Sequence, residues 1–280
     1  MTTGLINKIL LQSFVDGPGN RAVYFFQGCN LRCVYCHNPS TLARCNHCGV
    51  CVSSCPTGAL RLDGGRVRWD SGRCQDCEAC VEACPHFSTP RVLELTEDAL
   101  WERIQPRADF LAGVTASGGE ATQQLDFLVS SFALVKRSSR LTTMIETNGS
   151  LAPEALSRLL PVLDAAIVDL KAFDNDVHRQ LTDAGNESVK ETIAALARCG
   201  KLDSVRVTVV PGFNDTREEA VETARFLRSL DPRIPLRFQR FRAHGTRGAA
   251  AGWPSPTDDT METLCAAARE VGIATVSRSL

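Results

Sequence analysis

Hydrophobic residues follow two different patterns along most of the chain. Short apolar or β-branched runs predict strands, and longer segments with periodic apolar positions predict helices. The predicted strands are 21–27, 111–116, 142–146, 165–170, 204–210 and 236–241. The predicted helices are 97–104, 123–136, 153–160, 187–197, 216–230 and 257–270. This alternation indicates an α/β fold with a parallel sheet and crossover helices, and about six repeats fall short of the eight in a closed barrel.

Length and charge limit the classes of protein to which this chain can belong. The chain has 280 residues and a formal net charge of −1, which suits one large domain with a small extra module. It has no apolar run near the roughly 18 residues of a membrane span, and its first residues lack a signal-peptide pattern. Without a basic block, a general nucleic-acid binder is disfavoured. We therefore expect a cytoplasmic protein with neither membrane nor nucleic-acid partners.

The cysteine distribution is the most informative part of the composition. The chain has 13 cysteines, and eleven of them fall between Cys29 and Cys84. Disulfide scaffolds are typical of small secreted chains, and this chain is neither small nor expected to be secreted. The clustered thiols therefore indicate metal binding.

Two cysteine quartets share the spacing C-x2-C-x2-C-x3-C-P. This internal repeat matches the bacterial two-cluster ferredoxin run, in which the fourth cysteine of each run binds the other cluster. Zinc is the alternative, because four-cysteine zinc sites also use C-x2-C pairs, but two quartets ending in x3-C-P favour iron–sulfur. The ferredoxin pairing assigns one [4Fe–4S] cluster to Cys45, Cys48, Cys51 and Cys84, and a second to Cys55, Cys74, Cys77 and Cys80.

A third cysteine pattern lies upstream of the quartets. Cys29, Cys33 and Cys36 form C-x3-C-x2-C, with an aromatic residue before the last thiol. Three ligands leave one iron of a four-iron cluster open, and an open position is typical of a catalytic metal. The alternative is a structural three-cysteine site that His37 completes.

This pattern resembles the signature of radical S-adenosylmethionine (SAM) enzymes. The segments DGPGNR at 16–21, FQGCNLRC at 26–33 and CHNP at 36–39 are similar to the glycyl-radical-enzyme activating enzymes, the pyruvate formate-lyase activase-like family. The doubled quartet resembles the YjjW-type subgroup. Further motifs follow in family order, with SGGE at 117–120, ETNG at 146–149, DLK at 169–171 and VVPG at 209–212.

The resemblance implies a domain organisation and a set of cofactors. It implies a partial (β/α)6 TIM-like radical SAM barrel from residues 1–43 and 90–280, with an inserted bacterial ferredoxin-like module at 44–89. A catalytic [4Fe–4S] cluster would be bound by Cys29, Cys33 and Cys36, and its open iron would bind SAM. With the two quartets, the implied cofactors are three [4Fe–4S] clusters and SAM.

The family also implies which side chains contact SAM. Arg242 and His244 are alternatives, because the stretch 240–245 lacks the Pro-Tyr-His element of many relatives. The full set of implied SAM-binding residues is Tyr35, Gly118, Gly119, Glu120, Glu146, Asp169, Lys171, Arg206, Arg242 and His244.

Several of these residues also have a structural interpretation. The glycine pair of 117–120 would serve a tight turn, Lys171 a salt bridge at the strand end, and Tyr35 packing over the cluster. Glu146 stands where the family usually has Asp, and its longer side chain still offers a carboxylate. Asp16 would contact the glycine-bearing peptide of a partner, or would belong to a turn.

The function implied by the resemblance is that of an activase. Such an enzyme reductively cleaves SAM to a 5′-deoxyadenosyl radical, which takes hydrogen from a glycine Cα of a large glycyl radical enzyme. The family's reductant is flavodoxin or ferredoxin, and the two added clusters would relay electrons or order the partner surface. One alternative is a radical SAM enzyme acting on another peptide or small molecule. Another is a non-catalytic iron–sulfur electron carrier.

Three residues with reactive side chains fall outside these motifs. Cys199 and Cys265 are single cysteines on helical segments, where we expect small buried side chains. His178 lies in a helical or turn region, and we expect it at the surface.

Overall fold

The computed structural model describes residues 2–279. The strands are β1 Thr3–Ser13, β2 Arg21–Phe26, β3 Leu60–Asp63, β4 Arg66–Trp69, β5 Leu93–Thr96, β6 Gly113–Gly118, β7 Thr142–Thr147, β8 Ala165–Asp169, β9 Leu202–Val209, β10 Leu236–Arg240 and β11 Val276–Arg278. The helices are α1 Ala79–Glu82, α2 Glu97–Ile104, α3 Leu125–Ser138, α4 Pro153–Leu159, α5 Asn175–Thr182, α6 Glu187–Arg198, α7 Arg217–Leu230 and α8 Asp258–Val271. Short 3-10 turns lie at Pro39–Thr41, Gln105–Phe110, Ala121–Gln124, Leu160–Val162 and Gly248–Gly252.

One large sheet organises the molecule. Its strand order is β11-β10-β9-β8-β7-β6-β2-β1-β5, and neighbouring strands from β2 to β11 run parallel. β1 pairs antiparallel with both β2 and β5. The two edge strands are not paired with each other in the part of the chain that the structure describes, so the sheet is open. The predicted, mostly parallel α/β fold is confirmed.

The six predicted strands and six predicted helices are all present; the helix at 97–104 has the predicted bounds, and each of the others differs at one or both ends. The strand expected at 111–116 lies at Gly113–Gly118, because Leu111 still follows a 3-10 turn and the small residues Ser117 and Gly118 pair with β2. Five strands, β1, β3, β4, β5 and β11, and two helices, α1 and α5, were not predicted. Polar residues interrupt the apolar pattern of β1, and two register irregularities against β2 break its alternation.

Side-chain caps fix where several helices begin. Thr216 and Thr257, predicted as the first helical residues, instead accept hydrogen bonds from the backbone N–H groups of Glu219 and Thr260. These residues satisfy amide groups that have no partner within the helix. α5 begins in the same way at Asp174.

Aromatic packing fills the space between the sheet and α3. The Tyr24 and Phe132 rings meet edge-on at 6.4 Å between centroids, and the Phe26 and Phe127 rings at 5.9 Å. All four side chains are buried. A Cβ at Gly4 would overlap the Phe127 ring, so β1 can cross this layer only with glycine there.

Residues 44–89 have a hydrophobic cluster and a two-stranded sheet of their own. β3 and β4 form an antiparallel hairpin whose turn residues, Gly64 and Gly65, have φ of 54° and 74°. Positive φ at both positions is the geometry of a type I′ turn, which glycine adopts without strain. The segment is tied to the large sheet's loops by a 3.0 Å hydrogen bond from the Ala43 amide to the Phe87 carbonyl, and by Arg247, which donates to the Cys84 carbonyl at 3.1 Å.

Two expectations outside the motifs were wrong. Cys199 is exposed, because it caps the C-terminus of α6 and lies beyond the buried face of that helix, whereas Cys265 is buried as expected. His178 is fully buried on the inner face of α5, with Nδ1 2.7 Å from the Ala184 carbonyl oxygen. No helix within residues 2–279 combines the length and the apolarity that crossing a membrane requires.

A buried arginine joins the amino ends of three strands. Arg21, on β2, donates from Nε to Thr115 Oγ1 at 2.7 Å, and from its terminal nitrogens to Thr142 Oγ1 at 2.9 Å and to the Val114 carbonyl at 2.7 Å. Burial lowers the pKa of Arg21 to about 10, so it stays charged at neutral pH. This side chain therefore clamps β2, β6 and β7 together at one edge of the sheet.

Replacing Arg21 by methionine should destabilise the fold. Arg21→Met removes charge-assisted hydrogen bonds from a buried site, and we expect the free energy of unfolding to fall by about 2 kcal/mol. Anaerobic urea unfolding measures this difference. Arg140→Met, at an exposed position, is the matched control and should stay within about 0.5 kcal/mol of the parent. Equal losses in the two variants would contradict the clamp.

Candidate active site

A cavity of about 510 Å³ opens at the carboxyl ends of the parallel strands. Loops that follow β2, β6, β7, β8 and β10 contribute to its wall, and β9 contributes residues from within the strand. In α/β barrels this edge of the sheet is where binding and catalytic residues gather. The predicted residues that line the cavity are Cys29, Cys33, Tyr35, Cys36, Gly118, Gly119, Glu146, Asp169, Lys171, Arg206 and Arg242.

The loop that carries the three cysteines is held from two sides. The Gly28 and Cys29 amides donate to the Thr41 and Leu42 carbonyls at 2.8 and 3.0 Å. On the other side, the Arg32 and Val34 amides donate to carbonyl oxygens at the end of α5, at 3.1 and 3.0 Å. Helix α5, which the sequence pattern did not predict, is therefore one of the two supports of the cysteine loop.

The three thiols differ from exposed cysteines in their acidity. Burial raises the pKa of both Cys29 and Cys33 to about 11, and burial also raises the pKa of Cys36. Without metal the thiols are protonated at neutral pH, so metal binding must release protons. Within residues 2–279, no three Cys, His, Asp or Glu side chains converge closely enough to hold a single metal ion.

An ion-pair network forms the opposite wall of the cavity. Arg206 on β9 donates to Asp169 on β8 and to Glu146 on β7, both at 2.7 Å. Asp169 also pairs with Lys171 at 3.0 Å, and Ser117 donates to Glu146 at 2.8 Å. The four charged side chains are only 10–25% exposed. Two anions and two cations are thus balanced across three neighbouring strand ends.

The charge states in this network follow from its pairing. Burial alone would raise the pKa of Asp169, but Arg206 and Lys171 outweigh burial and lower it to about 2. Asp169 in turn raises the pKa of both cations against the effect of burial. For Glu146 burial dominates and raises the pKa even though Arg206 acts in the other direction. Asp169, Lys171 and Arg206 are therefore charged at neutral pH.

The glycine pair of the SGGE motif lets two loops touch. Gly118 has φ of 115°, a conformation that favours glycine, and a Cβ there would overlap the Phe26 amide nitrogen. A Cβ on Gly119 would overlap the carbonyl oxygen of Gly28, which precedes the first cysteine. The pair is therefore a tight turn that also allows close backbone approach at the cavity wall.

Glu120 lies behind the wall and does not line the cavity. Its carboxylate is buried and accepts hydrogen bonds from the Asn148 amide at 2.8 Å, Thr147 Oγ1 at 2.9 Å and Thr122 Oγ1 at 2.7 Å. Burial raises the pKa of Glu120. This arrangement makes Glu120 a positioning residue for the loop after β7.

The remaining predicted residues have different locations. Tyr35 packs edge-on against Phe241 at 6.2 Å, and its buried hydroxyl has no hydrogen-bond partner within residues 2–279. Arg242 lines the cavity, whereas the exposed His244 does not. Asp16 lies at the amino end of the sheet, the edge opposite the cavity, where its carbonyl accepts from Thr115 Oγ1 at 2.7 Å. Its carboxylate accepts a hydrogen bond from the Ser13 hydroxyl.

The two cysteine quartets surround two separate small cavities. The members of each cavity are those of the ferredoxin-type pairing, with one cysteine exchanged between the runs. Cys45, Cys48, Cys51 and Cys84 line one cavity, together with Val67. Cys55, Cys74, Cys77 and Cys80 line the other, together with Leu60, Trp69 and Arg91.

Known proteins with similar sequences indicate the same kind of site as the cavity and its cysteine loop. The Radical SAM superfamily model matches residues 23–227. The chain is 33% identical over 265 residues to (2S)-3-sulfopropanediol sulfolyase activating enzyme of Bilophila wadsworthia, covering 86% of this chain and 85% of that protein. It is 32% identical over 242 residues to choline trimethylamine-lyase activating enzyme of Oleidesulfovibrio alaskensis, covering 80% and 78%. The chain belongs to the glycyl-radical-enzyme activating enzymes of the radical SAM superfamily.

Solved structures share the fold of this activating enzyme. A radical SAM methyltransferase from Sphaerobacter thermophilus has a TM-score of 0.58 at 15% identity, covering 92% of this chain and 66% of that chain. QueE from Escherichia coli has a TM-score of 0.56 at 13% identity, covering 99% and 94%. At these identities the likeness concerns the fold alone.

Some residues that line the cavity of this radical SAM enzyme were not predicted. Asn148 belongs to the ETNG motif and donates to Asn30 Oδ1 at 2.8 Å, so the motif already contained a signal for it. Thr208 and Gln239 lie near the carboxyl ends of β9 and β10, on the face of Arg206, where strand alternation could have found them. Ser279 follows β11, and nothing in the sequence pattern points to it.

Replacing Glu120 by glutamine should weaken the wall of the cavity. Glu120→Gln puts an NH₂ group opposite buried donors, and we expect the free energy of unfolding to fall by about 2 kcal/mol. Urea unfolding of the activating enzyme measures this loss. Glu102→Gln, on the exposed face of α2, is the matched control and should change stability by less than about 0.5 kcal/mol. An unchanged Glu120→Gln variant would rule out the positioning role.

Proposed function

We propose that this enzyme reductively cleaves SAM and abstracts hydrogen from a glycine Cα of a partner glycyl radical enzyme. The observation that carries the proposal is the cavity itself. Three cysteines on one loop face a charge-balanced network on three neighbouring strand ends. This arrangement joins a metal-binding element to a polar wall suited to a zwitterionic ligand.

The donor set fits an iron–sulfur cluster better than a single ion. Cys29, Cys33 and Cys36 line one cavity but do not converge on one point. A cluster needs its thiolates spread around several irons, whereas zinc needs four donors close to one centre. When bound, the reduced cluster supplies the electron that breaks the C5′–S bond of SAM, giving methionine and the 5′-deoxyadenosyl radical.

The polar wall offers partners for both charged groups at the methionyl end of SAM. Lys171 and Arg242 are the cations proposed to bind the methionyl carboxylate, and Glu146 is the anion proposed to bind the ammonium. Arg206 holds both carboxylates of the network in place through its two ion pairs. A volume of about 510 Å³ is in the range of small-molecule sites.

The two quartets support the proposal of two further clusters in an inserted module at 44–89. The ferredoxin-type pairing predicts four particular cysteines for each cluster, and those same four line each cavity. With the three-cysteine loop, this gives a proposed total of three [4Fe–4S] clusters.

A protein substrate agrees with the surface around Asp16. Phe14 and Val15, which precede it, are 75% and 83% exposed. Contiguous exposed apolar surface rimmed by polar residues marks protein-binding sites. We propose that the loop contacts the glycine-bearing partner at the edge opposite the cavity, away from the glycine that enters the cavity.

The alternatives predict different reactions. An electron carrier gains nothing from a cavity of SAM size beside a three-cysteine loop. An enzyme acting on a small molecule or another peptide would cleave SAM equally well, but it would leave no radical on a glycine of a partner. The kinds of relative named above favour the activase.

Iron content and SAM cleavage test the proposal together. Anaerobic reconstitution should give about twelve irons per chain, and dithionite with SAM should give 5′-deoxyadenosine. Cys33→Ala should lose about four irons and all cleavage. Cys77→Ala is the comparison variant, because it should lose iron from a quartet and retain SAM binding. About eight irons and no cleavage in the parent protein would make it an electron carrier.

Arg242 and His244 can be separated by SAM binding. Because Arg242 lines the cavity and His244 does not, Arg242→Met should weaken SAM affinity about tenfold through loss of a charge-assisted hydrogen bond. His244→Ala should bind SAM within about twofold of the parent. Isothermal titration calorimetry on the reconstituted protein measures both. The reverse order of effects would assign the contact to His244.

A further inference from the structure

A second large cavity lies on a different face of the protein. It is a groove of about 590 Å³ between residues 44–89 and the antiparallel strands β1 and β5. It shares no lining residue with the cavity at the strand ends. We call it the arginine groove, because its wall contains Arg44, Arg61, Arg66 and Arg68.

The hairpin β3–β4 supplies three of the four arginines. Arg61 lies directly opposite Arg68, and Arg66 lies opposite Asp63, so these side chains share one face of the hairpin. All of them are exposed. Like charges directly opposite each other destabilise a strand pair. The position of Arg61 opposite Arg68 therefore does not contribute to the stability of the hairpin.

The arginines of the groove have no partners within residues 2–279, in ion pairs or in side-chain hydrogen bonds. Several other surface arginines pair with carboxylates, as in Arg158–Asp126, Arg217–Glu270 and Arg233–Asp231. Among the described lining residues of the groove, Glu94 is the only acidic one. In a chain with a net charge of −1, this is a local concentration of positive charge.

The groove lies directly against one cysteine quartet. Cys45 lines both the groove and the cavity that it shares with Cys48, Cys51 and Cys84. Val67, on the inner face of the hairpin, lines the same two spaces. A single hairpin therefore presents arginines to solvent on one face and covers the cysteine cavity with the other.

We propose that the arginine groove docks an acidic one-electron carrier protein that delivers its electron to the cluster of Cys45, Cys48, Cys51 and Cys84. In this step the carrier loses one electron, the cluster gains one, and no bond forms or breaks. The inference rests on the proposed function, which places a cluster in that quartet.

Charge complementarity and location favour this occupant. Electron-transfer complexes are small and depend on opposite charge for fast encounter. A carrier in the groove leaves the SAM cavity and the Asp16 loop free for the glycine-bearing partner. Nucleic acid is less suited, because Trp69 is the only Trp, Tyr or Phe among the described lining residues and is partly buried against the other quartet.

Charge reversal in the groove tests the proposal. The variant Arg61→Glu/Arg66→Glu/Arg68→Glu is compared with Arg107→Glu/Arg137→Glu/Arg140→Glu, which reverses three exposed arginines without ion pairs elsewhere. The probes are an acidic flavodoxin and an acidic two-cluster ferredoxin. Calorimetry gives their affinity in the oxidised state, and stopped-flow absorbance gives the rate at which the reduced probes transfer electrons.

We expect the groove variant to bind at least one probe about tenfold more weakly than the parent and to accept its electrons about tenfold more slowly. The control variant should behave like the parent. Parent affinity should also fall steeply between low and physiological salt, a test that needs no variant. The neutral variant Arg61→Gln/Arg66→Gln/Arg68→Gln should show an intermediate loss and guards against misfolding of the reversed one.

Dithionite separates this inference from the proposed function. Driven by dithionite, the groove variant should form 5′-deoxyadenosine at the parent rate, because a small reductant needs no docking surface. Absence of cleavage in the parent with dithionite would reject the proposed function. Parent-like binding and electron uptake by the groove variant with both probes would overturn the groove proposal alone. So would tighter binding of a DNA duplex than of either probe at physiological salt.

Discussion

The structure of the active-site cavity depends on a close contact between two backbones. The turn at Gly118 and Gly119 lies against β2 and the carbonyl of Gly28, at distances that a side chain would not permit. That contact brings the end of β6 beside the start of the cysteine loop. The ion pairs on β7 to β9 and the loop after β10 complete the cavity on its other sides. Parallel strands place the loops that follow them at one edge of the sheet. Here these loops form a single cavity because the backbones of two of them are in direct contact.

Much of this arrangement could be predicted from the sequence, because its signals are local. Cysteine spacing, the glycine pair and the DLK motif each lie within a few residues, and the strand periodicity places each motif at a carboxyl end. The grouping of the eight quartet cysteines around two cavities could also be predicted, because it follows the ferredoxin-type spacing. The charge network could be predicted only in part. Asp169 and Lys171 share a face by alternation, but the partnership of Arg206 with both carboxylates depends on the order of strands.

The features that were missed depend on contacts between distant parts of the chain. β1 joins the sheet through pairing with β2 and β5 and not through its own periodicity. α5 is short and polar, and it matters because its last carbonyls hold the cysteine loop. The SGGE motif predicts that Glu120 contacts SAM, but its carboxylate accepts hydrogen bonds from residues at the end of β7 and in the loop that follows it. In each case the decisive partner is far away in sequence.

The close approach of the entry and exit of residues 44–89 has a consequence for how this segment is joined to the fold. The Ala43 amide and the Phe87 carbonyl meet at 3.0 Å, so the chain leaves the large sheet's loops and returns to them at almost the same point. A segment whose ends are already joined adds little loop-closure entropy when it is gained and removes little when it is lost. The length of such a segment can change with little effect on the free energy of folding of the rest of the chain. A short turn between residues 43 and 87 would close the same gap, and within residues 2–279 the strands of residues 44–89 pair only with each other, so the large sheet does not depend on the length of the cysteine-rich segment.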